Sequence, residues 1–267
     1  MRLALVRPIT LVIALIGTSA GCSGDPQVDP AEQAEKVKKN LKSARVHIAD
    51  GDYEKARLML KEVRSIDPNN VDAMYGMGRV AFADGANADA IKLLEKATTA
   101  EPENHEYLFW LGEVYKAEEN WGAAAGAYGK AFALDSENGD YGLAQGKMLK
   151  KAKKFAEAEP ILRKVLEIDE QVEFVYTELG DVLRETGKAD EALRTYMKAQ
   201  TVHPGDLMAH AGAALVYEDK GDIKHALDEW STYVRMDCCS DYSKTVARKK
   251  IETLGGGGGG GEEAGGE

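Results

Sequence analysis

RSIDPNN (residues 64–70) closes one unit of this chain, and thirty-four residues later TTAEPEN (98–104) closes the next. FALDSEN (132–138), LEIDEQV (166–172), QTVHPGD (200–206) and VRMDCCS (234–240) follow at the same interval, with no insertion between copies. A helix-ending phrase repeated at a fixed period of this length marks a solenoid, in which one supersecondary unit stacks on the next.

Cut at residues 37, 71, 105, 139, 173 and 207, the chain falls into six blocks of 34 that end at Ser240. Each block reads as two helices. In the second block, VDAMYGMGRVAFADG (71–85) has Met74, Met77 and Ala81 at helical spacing, and ANADAIKLLEKATTAEP (86–102) sets Ala90, Leu94 and Ala97 on one face. Gly85 suits a left-handed helix exit, and Pro102 stops the second helix. The eighth slot is always small (Ala44, Gly78, Gly112, Gly146, Gly180, Ala214), and the twentieth is always alanine, from Ala56 to Ala226. Small residues at these slots let paired helices approach closely. The twenty-fourth slot carries the bulk: Leu60, Leu94, Tyr128, Leu162, Tyr196 and Trp230. With Trp121, the residues Tyr128 and Trp230 are assigned to packing. Block four places Gly142, Gln145 and Gly146 where its neighbours mostly have larger residues, and Pro160 enters its second helix. Residues 141–165 are therefore expected to open most easily.

GDYEKA (51–56), LGEVYKAEENWGAAAGAYGKAFALD (111–135) and LGDVLRETGKADEALRTYMKA (179–199) carry a resemblance to tetratricopeptide repeat proteins over residues 37–240. That resemblance implies an all-α solenoid, a right-handed superhelix of six antiparallel helix pairs whose first helices line a concave groove. DYSKTVARKKIETL (241–254) reads as one more helix, with Ser240 as its N-cap, closing the stack as a polar cap.

The two chain ends are of different material. MRLALVR is positively charged, PITLVIALIG is a short apolar run, and TSAGC ends at Cys22. This is the pattern of an export signal, and the apolar run is short for a membrane span. It resembles a bacterial lipoprotein leader over Ala20, Gly21 and Cys22, while Ser19 stands where that family usually has leucine. The alternative is an ordinary signal peptide with Cys22 incidental; lipidation of Cys22 is the preferred reading, and Ser23 beside it implies the outer membrane, facing the periplasm. The expected organisation is a leader at 1–21, a lipidated cysteine and tether at 22–30, repeats and cap at 31–254, and a disordered Gly/Glu-rich tail at 255–267. In the tether, Asp29-Pro30 reads as a helix cap and first-turn proline.

With 44% hydrophobic and 30% charged residues the composition is that of a soluble globular protein. The formal net charge is −11, and cleavage after residue 21 removes Arg2 and Arg7 but no acid. An acidic surface disfavours nucleic acid as a partner. The five histidines fall in separate blocks without ligand spacing, so neither a metal nor a cofactor is expected. GAAAGAYGK (122–130) lacks the spacing and preceding strand of a phosphate loop. No catalytic group emerges, and neither an enzyme nor a small-molecule substrate is expected. Cys238-Cys239 leaves three readings open: a strained vicinal disulfide, an intermolecular bridge, or two thiols half-buried beneath the cap helix.

Function is then a matter of surface. The family's groove slots give Arg45, Tyr75, Arg79, Phe82, Phe109, Trp110, Glu113, Lys116, Lys147 and Lys150 as the candidate peptide-binding residues. Aromatics beside arginines are the usual substance of binding hot spots. Lys116, Lys147, Lys150, Lys151 and Arg184 form a basic stretch, which suits a peptide with apolar anchors and some acid. The carboxylate clamp of some family members is absent, since Leu41, Arg45 and Gly76 occupy its places. Leader, six unbroken repeats and size together resemble the pilotin lipoproteins of type IV pilus systems, which implies a secretin subunit as partner. A structural subunit of another envelope machine, for gliding motility, cell-wall or outer-membrane assembly, is the alternative.

Overall fold

The structure is a computed structural model, and it describes residues 29–256. The leader, Cys22, most of the tether and residues 257–267 lie outside the described residues. Helices α1 (Pro30–Ala49) and α2 (Tyr53–Ile66) form the first pair, α3 (Val71–Ala83) and α4 (Asn87–Ala100) the second, and α5 (His105–Ala117) and α6 (Trp121–Leu134) the third. Then come α7 (Gly139–Lys151) with α8 (Phe155–Ile168), α9 (Val175–Glu185) with α10 (Ala189–Val202), and α11 (Leu207–Asp219) with α12 (Ile223–Met236). A π-helical turn at Ser243–Ala247 leads into α13 (Arg248–Gly256). The fold is all-α, with no strand and no helix long and apolar enough to cross a membrane among the described residues.

Every pair closes by the same turn. Its fifteenth slot is left-handed in all six blocks: Gly51 (φ 75°), Gly85 (76°), Glu119 (54°), Lys153 (58°), Gly187 (78°) and Gly221 (72°). The N–H of the following residue bonds back to the carbonyl five positions earlier, as Ala86 does to Ala81 (2.9 Å) and Lys154 to Leu149 (2.8 Å). That is the Schellman arrangement, which satisfies carbonyls that a helix end would otherwise leave unpaired. Glu119 and Lys153 hold a conformation costing an L-residue about 1–2 kcal/mol.

The opening phrase explains the join between pairs. Its last residue caps the next helix: the Asn70 side chain accepts from the Ala73 N–H (3.0 Å), Asn104 from Tyr107 (3.4 Å), Asn138 from Tyr141 (3.4 Å) and Asp206 from Ala209 (3.3 Å). At the chain's start Asp29 accepts from Ala31 (2.9 Å) ahead of Pro30, and at its end Ser240 accepts from Ser243 (3.0 Å). LEIDEQV ends in Val172, which has no oxygen to offer. There α9 begins only at Val175, through a left-handed Phe174 (φ 66°) without a side-chain cap. The start of α9 is delayed at this one join, while the 34-residue register resumes by Gly187.

The core follows the slot pattern. All six alanines of slot twenty are fully buried, and so are the bulky residues of slot twenty-four. A Cβ placed on Gly112 would lie 2.7 Å from the Tyr128 ring, and one on Gly180 would lie 2.5 Å from Tyr196. Side chains form four successive clusters: one around Ala44–Val80, one around Tyr75–Ala127, the most extensive from Ala124 to Val216, and one joining Ala211, Ala214, Trp230 and Tyr233 to Ala247. Trp121 is half-buried against the third cluster. In block four the glycines are not voids, because Phe132 and Val165 fill the space over Gly142, and Leu162 fills that over Gly146. The packing ground for a weak fourth block is therefore removed. The expected cap helix is present, but its first part is the π-helical turn, and α13 continues through Gly255 and Gly256. Those two glycines thus belong to the cap helix and not to the tail.

Two outcomes follow. Lys153→Gly should raise stability in urea melts by about 0.5–1 kcal/mol, since relief of left-handed strain outweighs the added unfolded-state freedom, whereas Gly85→Ala should lower it by about 1 kcal/mol. In native-state hydrogen exchange, residues 141–165 should be as protected as the flanking pairs, with the fastest internal exchange at 170–174.

Candidate functional site

First helices of neighbouring pairs touch: α1 with α3, α3 with α5, α7 with α9, and α9 with α11. Second helices make no comparable contact with each other among the described residues. A stack whose members meet on one side and splay on the other curves toward the meeting side. The first helices therefore line the inner face, and at its C-terminal end α13 packs on α12, with Ile251 and Leu254 sharing one core cluster with Ala211, Ala214 and Leu215 of α11.

On α3 and α5 the expected aromatic residues come together. Phe82 meets Trp110 edge-on (centroids 6.5 Å apart), Trp110 meets Phe109 (5.8 Å), and Phe109 reaches Tyr128 (5.7 Å) and Tyr141 (5.3 Å). The Arg79 guanidinium lies 3.9 Å from the centre of the Trp110 ring. Such edge-on and cation–π contacts hold the rings in place, and each contributes about 0.5–1.5 kcal/mol. Phe82, Phe109, Trp110 and Arg79 are all half-buried, so they pack on one another and still present surface. Tyr75 is buried and stacks on Tyr107 (4.4 Å). Its hydroxyl donates to Glu106 (2.5 Å), while that of Tyr107 donates to Asp72 (2.9 Å), which also holds Arg45 (2.6 Å). Burial, and then the carboxylate acceptor, pushes the Tyr75 pKa far above its ordinary value. Between α1, α2, α3 and α5 lies a cleft of about 240 Å³, with Leu41, Ile48 and Leu60 on its apolar side and Arg45, Asp72, Arg79 and Glu106 on its polar side.

Farther along the row the geometry departs from expectation. Glu113 is engaged on both oxygens, by the Tyr128 hydroxyl (2.5 Å) and by Lys116 (2.5 Å). The fully buried Tyr128 needs that acceptor, and Asp181 accepts from the buried Tyr196 in the same way (2.7 Å). The basic stretch is largely neutralised. Lys150 pairs with Glu178 (2.6 Å) and Asp181, Lys147 lies 3.7 Å from Glu178, and Arg184 pairs with Glu185 (2.5 Å). Burial alone would lower the Lys150 pKa, but Asp181 and Glu178 outweigh it and hold the ammonium form. Of the five basic residues, only Lys151 is without an acid among the described residues. Glu113, Lys116, Lys147 and Lys150 thus organise the inner face from within.

Sequence reasoning missed Tyr107 and Tyr141, which share the third slot of adjacent blocks. Tyr141 continues the aromatic row to His105 (Nδ1 to the hydroxyl oxygen, 3.0 Å). It also missed Phe174, which the uncapped join leaves exposed below Lys147 (5.9 Å). Cys238 and Cys239 are free and exposed in the turn after α12, not half-buried. Among the described residues, no group of three or more His, Cys, Asp or Glu side chains could hold a metal ion. The paired carboxylates make one prediction. Tyr128→Phe should cost about 1.5–3 kcal/mol in urea melts by leaving Glu113 short of a donor, and Tyr128→Phe with Glu113→Gln should recover part of that loss.

The comparisons with known proteins agree with this architecture. Tetratricopeptide repeat family models match residues 47–108, 87–132 together with 177–235, and 143–172. No curated protein matches the sequence. Among solved structures, Pseudomonas aeruginosa pilF is similar, with a TM-score of 0.64 at 17% identity, over 82% of this chain and 99% of that one. PilW, described as a widely conserved type IV pilus biogenesis factor, gives 0.64 at 18% identity over 79% and 97%. YrrB, described as having an unusual peptide-binding site, gives 0.59 at 20% identity over 71% and 97%. At such identities these likenesses speak to the fold, and the matched repeats span more than half of the sequence. The chain belongs to the tetratricopeptide repeat family.

Proposed function

We propose that this protein is an envelope scaffold that captures a protein segment on its inner face, with a lipid on Cys22 holding it to the outer membrane on the periplasmic side. The observation that carries the reading is the half-buried row of Phe82, Trp110, Phe109 and Tyr141, which is preorganised by ring–ring contacts and still presents surface. Rigid aromatic anchors of this kind lose little side-chain freedom on binding, and this is where binding energy concentrates. Within that frame the partner is a secretin subunit, and the protein acts as a pilotin-like escort. The fold-level likeness to the type IV pilus biogenesis factor PilW supports this choice, as do the leader and six unbroken repeats.

A photoreactive residue at Trp110 in the native host should crosslink to a secretin subunit as the main adduct, identified by mass spectrometry. Other envelope proteins as main adducts would replace the escort reading with that of a structural subunit, and no adduct would remove the groove from the mechanism. Cys22→Ser should abolish labelling by a palmitate analogue and release the protein from the outer-membrane fraction; retained labelling would refute the anchor.

A further inference from the structure

Lys151 is exposed and without an acid among the described residues; among the other cations named on the inner face, one differs. Arg45, Lys116, Lys147, Lys150 and Arg184 each have a carboxylate partner, in Asp72, Glu113, Glu178, Asp181 or Glu185. Arg79 has none within ion-pair distance among the described residues. Its one hydrogen bond is a long contact to the Tyr75 hydroxyl (3.5 Å), and its Nε is buried without a partner. The nearby carboxylate of Glu106 accepts the hydrogen bond of the Tyr75 hydroxyl (2.5 Å). A guanidinium half-withdrawn from water, pressed on an indole and left without a counter-charge, is unusual in a protein with eleven more negative than positive charges. Withdrawal from water is unfavourable unless a hydrogen-bonded anion compensates.

We infer that Arg79 is the recognition point for an acidic side chain of the captured segment, and that the neighbouring apolar wall of the cleft receives an aliphatic residue beside it. This rests on the scaffold reading and specifies its ligand: an extended peptide with Asp or Glu next to Leu, Ile or Val. The carboxylate would accept from the guanidinium Nη donors, an arrangement suited to the planar donor fork of arginine. The aliphatic side chain would enter the cleft of about 240 Å³ beside the half-buried Leu41, above a floor formed by the buried Ile48 and Leu60. Arg45 stands at the rim and is already matched by Asp72, so the expected charge selectivity belongs to Arg79.

The test uses the full chain and three short peptides, followed by NMR at the Arg79 Nε–H and Trp110 indole N–H. Acetyl-Leu-Asp-amide should shift both signals in a saturable manner. Acetyl-Leu-Asn-amide, identical in shape and without the charge, should bind at least fivefold more weakly. Acetyl-Gly-Leu with a free C-terminal carboxylate should also be weaker. Arg79→Gln should erase the preference for Asp over Asn, and raising the salt concentration should weaken the Asp peptide alone. Equal binding of the Asp and Asn peptides, stronger binding of the free-acid peptide, or no shift at millimolar concentration would overturn the inference. The comparison of peptides on the unmodified protein stands even if the variant folds poorly. Crosslinks at Trp110 without acid selectivity would sink this inference and leave the scaffold reading intact; acid selectivity without any envelope adduct would do the reverse.

Discussion

The close approach of two helices at the eighth and twentieth slots is the constraint on which the rest depends. Alanine at slot twenty and glycine or alanine at slot eight bring backbones near enough that one bulky residue, at slot twenty-four, fills the whole crossing. Interiors packed to this density tolerate neither added nor removed methylenes cheaply. The same crossing recurs six times and so fixes the angle of each pair, while the shared left-handed turn fixes its length. Curvature, and with it an inner face, then follows from which helices meet across the pairs.

That constraint reaches the polar surface. Where slot twenty-four is leucine, slot nine carries Arg45, Arg79 or Lys147; where it is tyrosine, slot nine carries Glu113 or Asp181. A phenol driven into the crossing by packing emerges beside slot nine, and its hydroxyl needs an acceptor there. In the last pair Trp230 takes the slot, and its indole N–H finds Glu218 (2.6 Å), which also holds Lys250 of the cap. The charge pattern of the inner face is thus partly dictated by the core behind it. Only residues freed from that duty are available for a partner.

Most of the fold was legible because its signals are local and repeated. The helix-ending phrase, the small slot eight and the alanines of slot twenty each say the same thing in several blocks. The departures came from relationships between slots. The acids that neutralise Lys147 and Lys150 lie 28 to 31 residues on, in the next helix row, and a slot-by-slot reading treats each residue as if it faced solvent. Val172 lacks the side-chain oxygen that its slot carries elsewhere, but the slot was recognised as a recurring cap only in the structure, and its effect on α9 depends on backbone geometry. The aromatic row was legible in Tyr75, Phe82, Phe109 and Trp110, whereas Tyr107 and Tyr141 were not, because their slot is small or aliphatic in most other blocks.

The division of the core into successive clusters has a consequence for how the protein would respond to tension or heat. In a linear stack each pair is held only by its neighbours, so unravelling proceeds from an end. The most extensive cluster spans Ala124 to Val216, whereas the stretch bearing the cleft rests on two smaller ones joined through α3. A segment lying across α1, α3 and α5 would act as a splint over that joint. Occupancy and integrity of the first three pairs would then be thermodynamically linked, each raising the other.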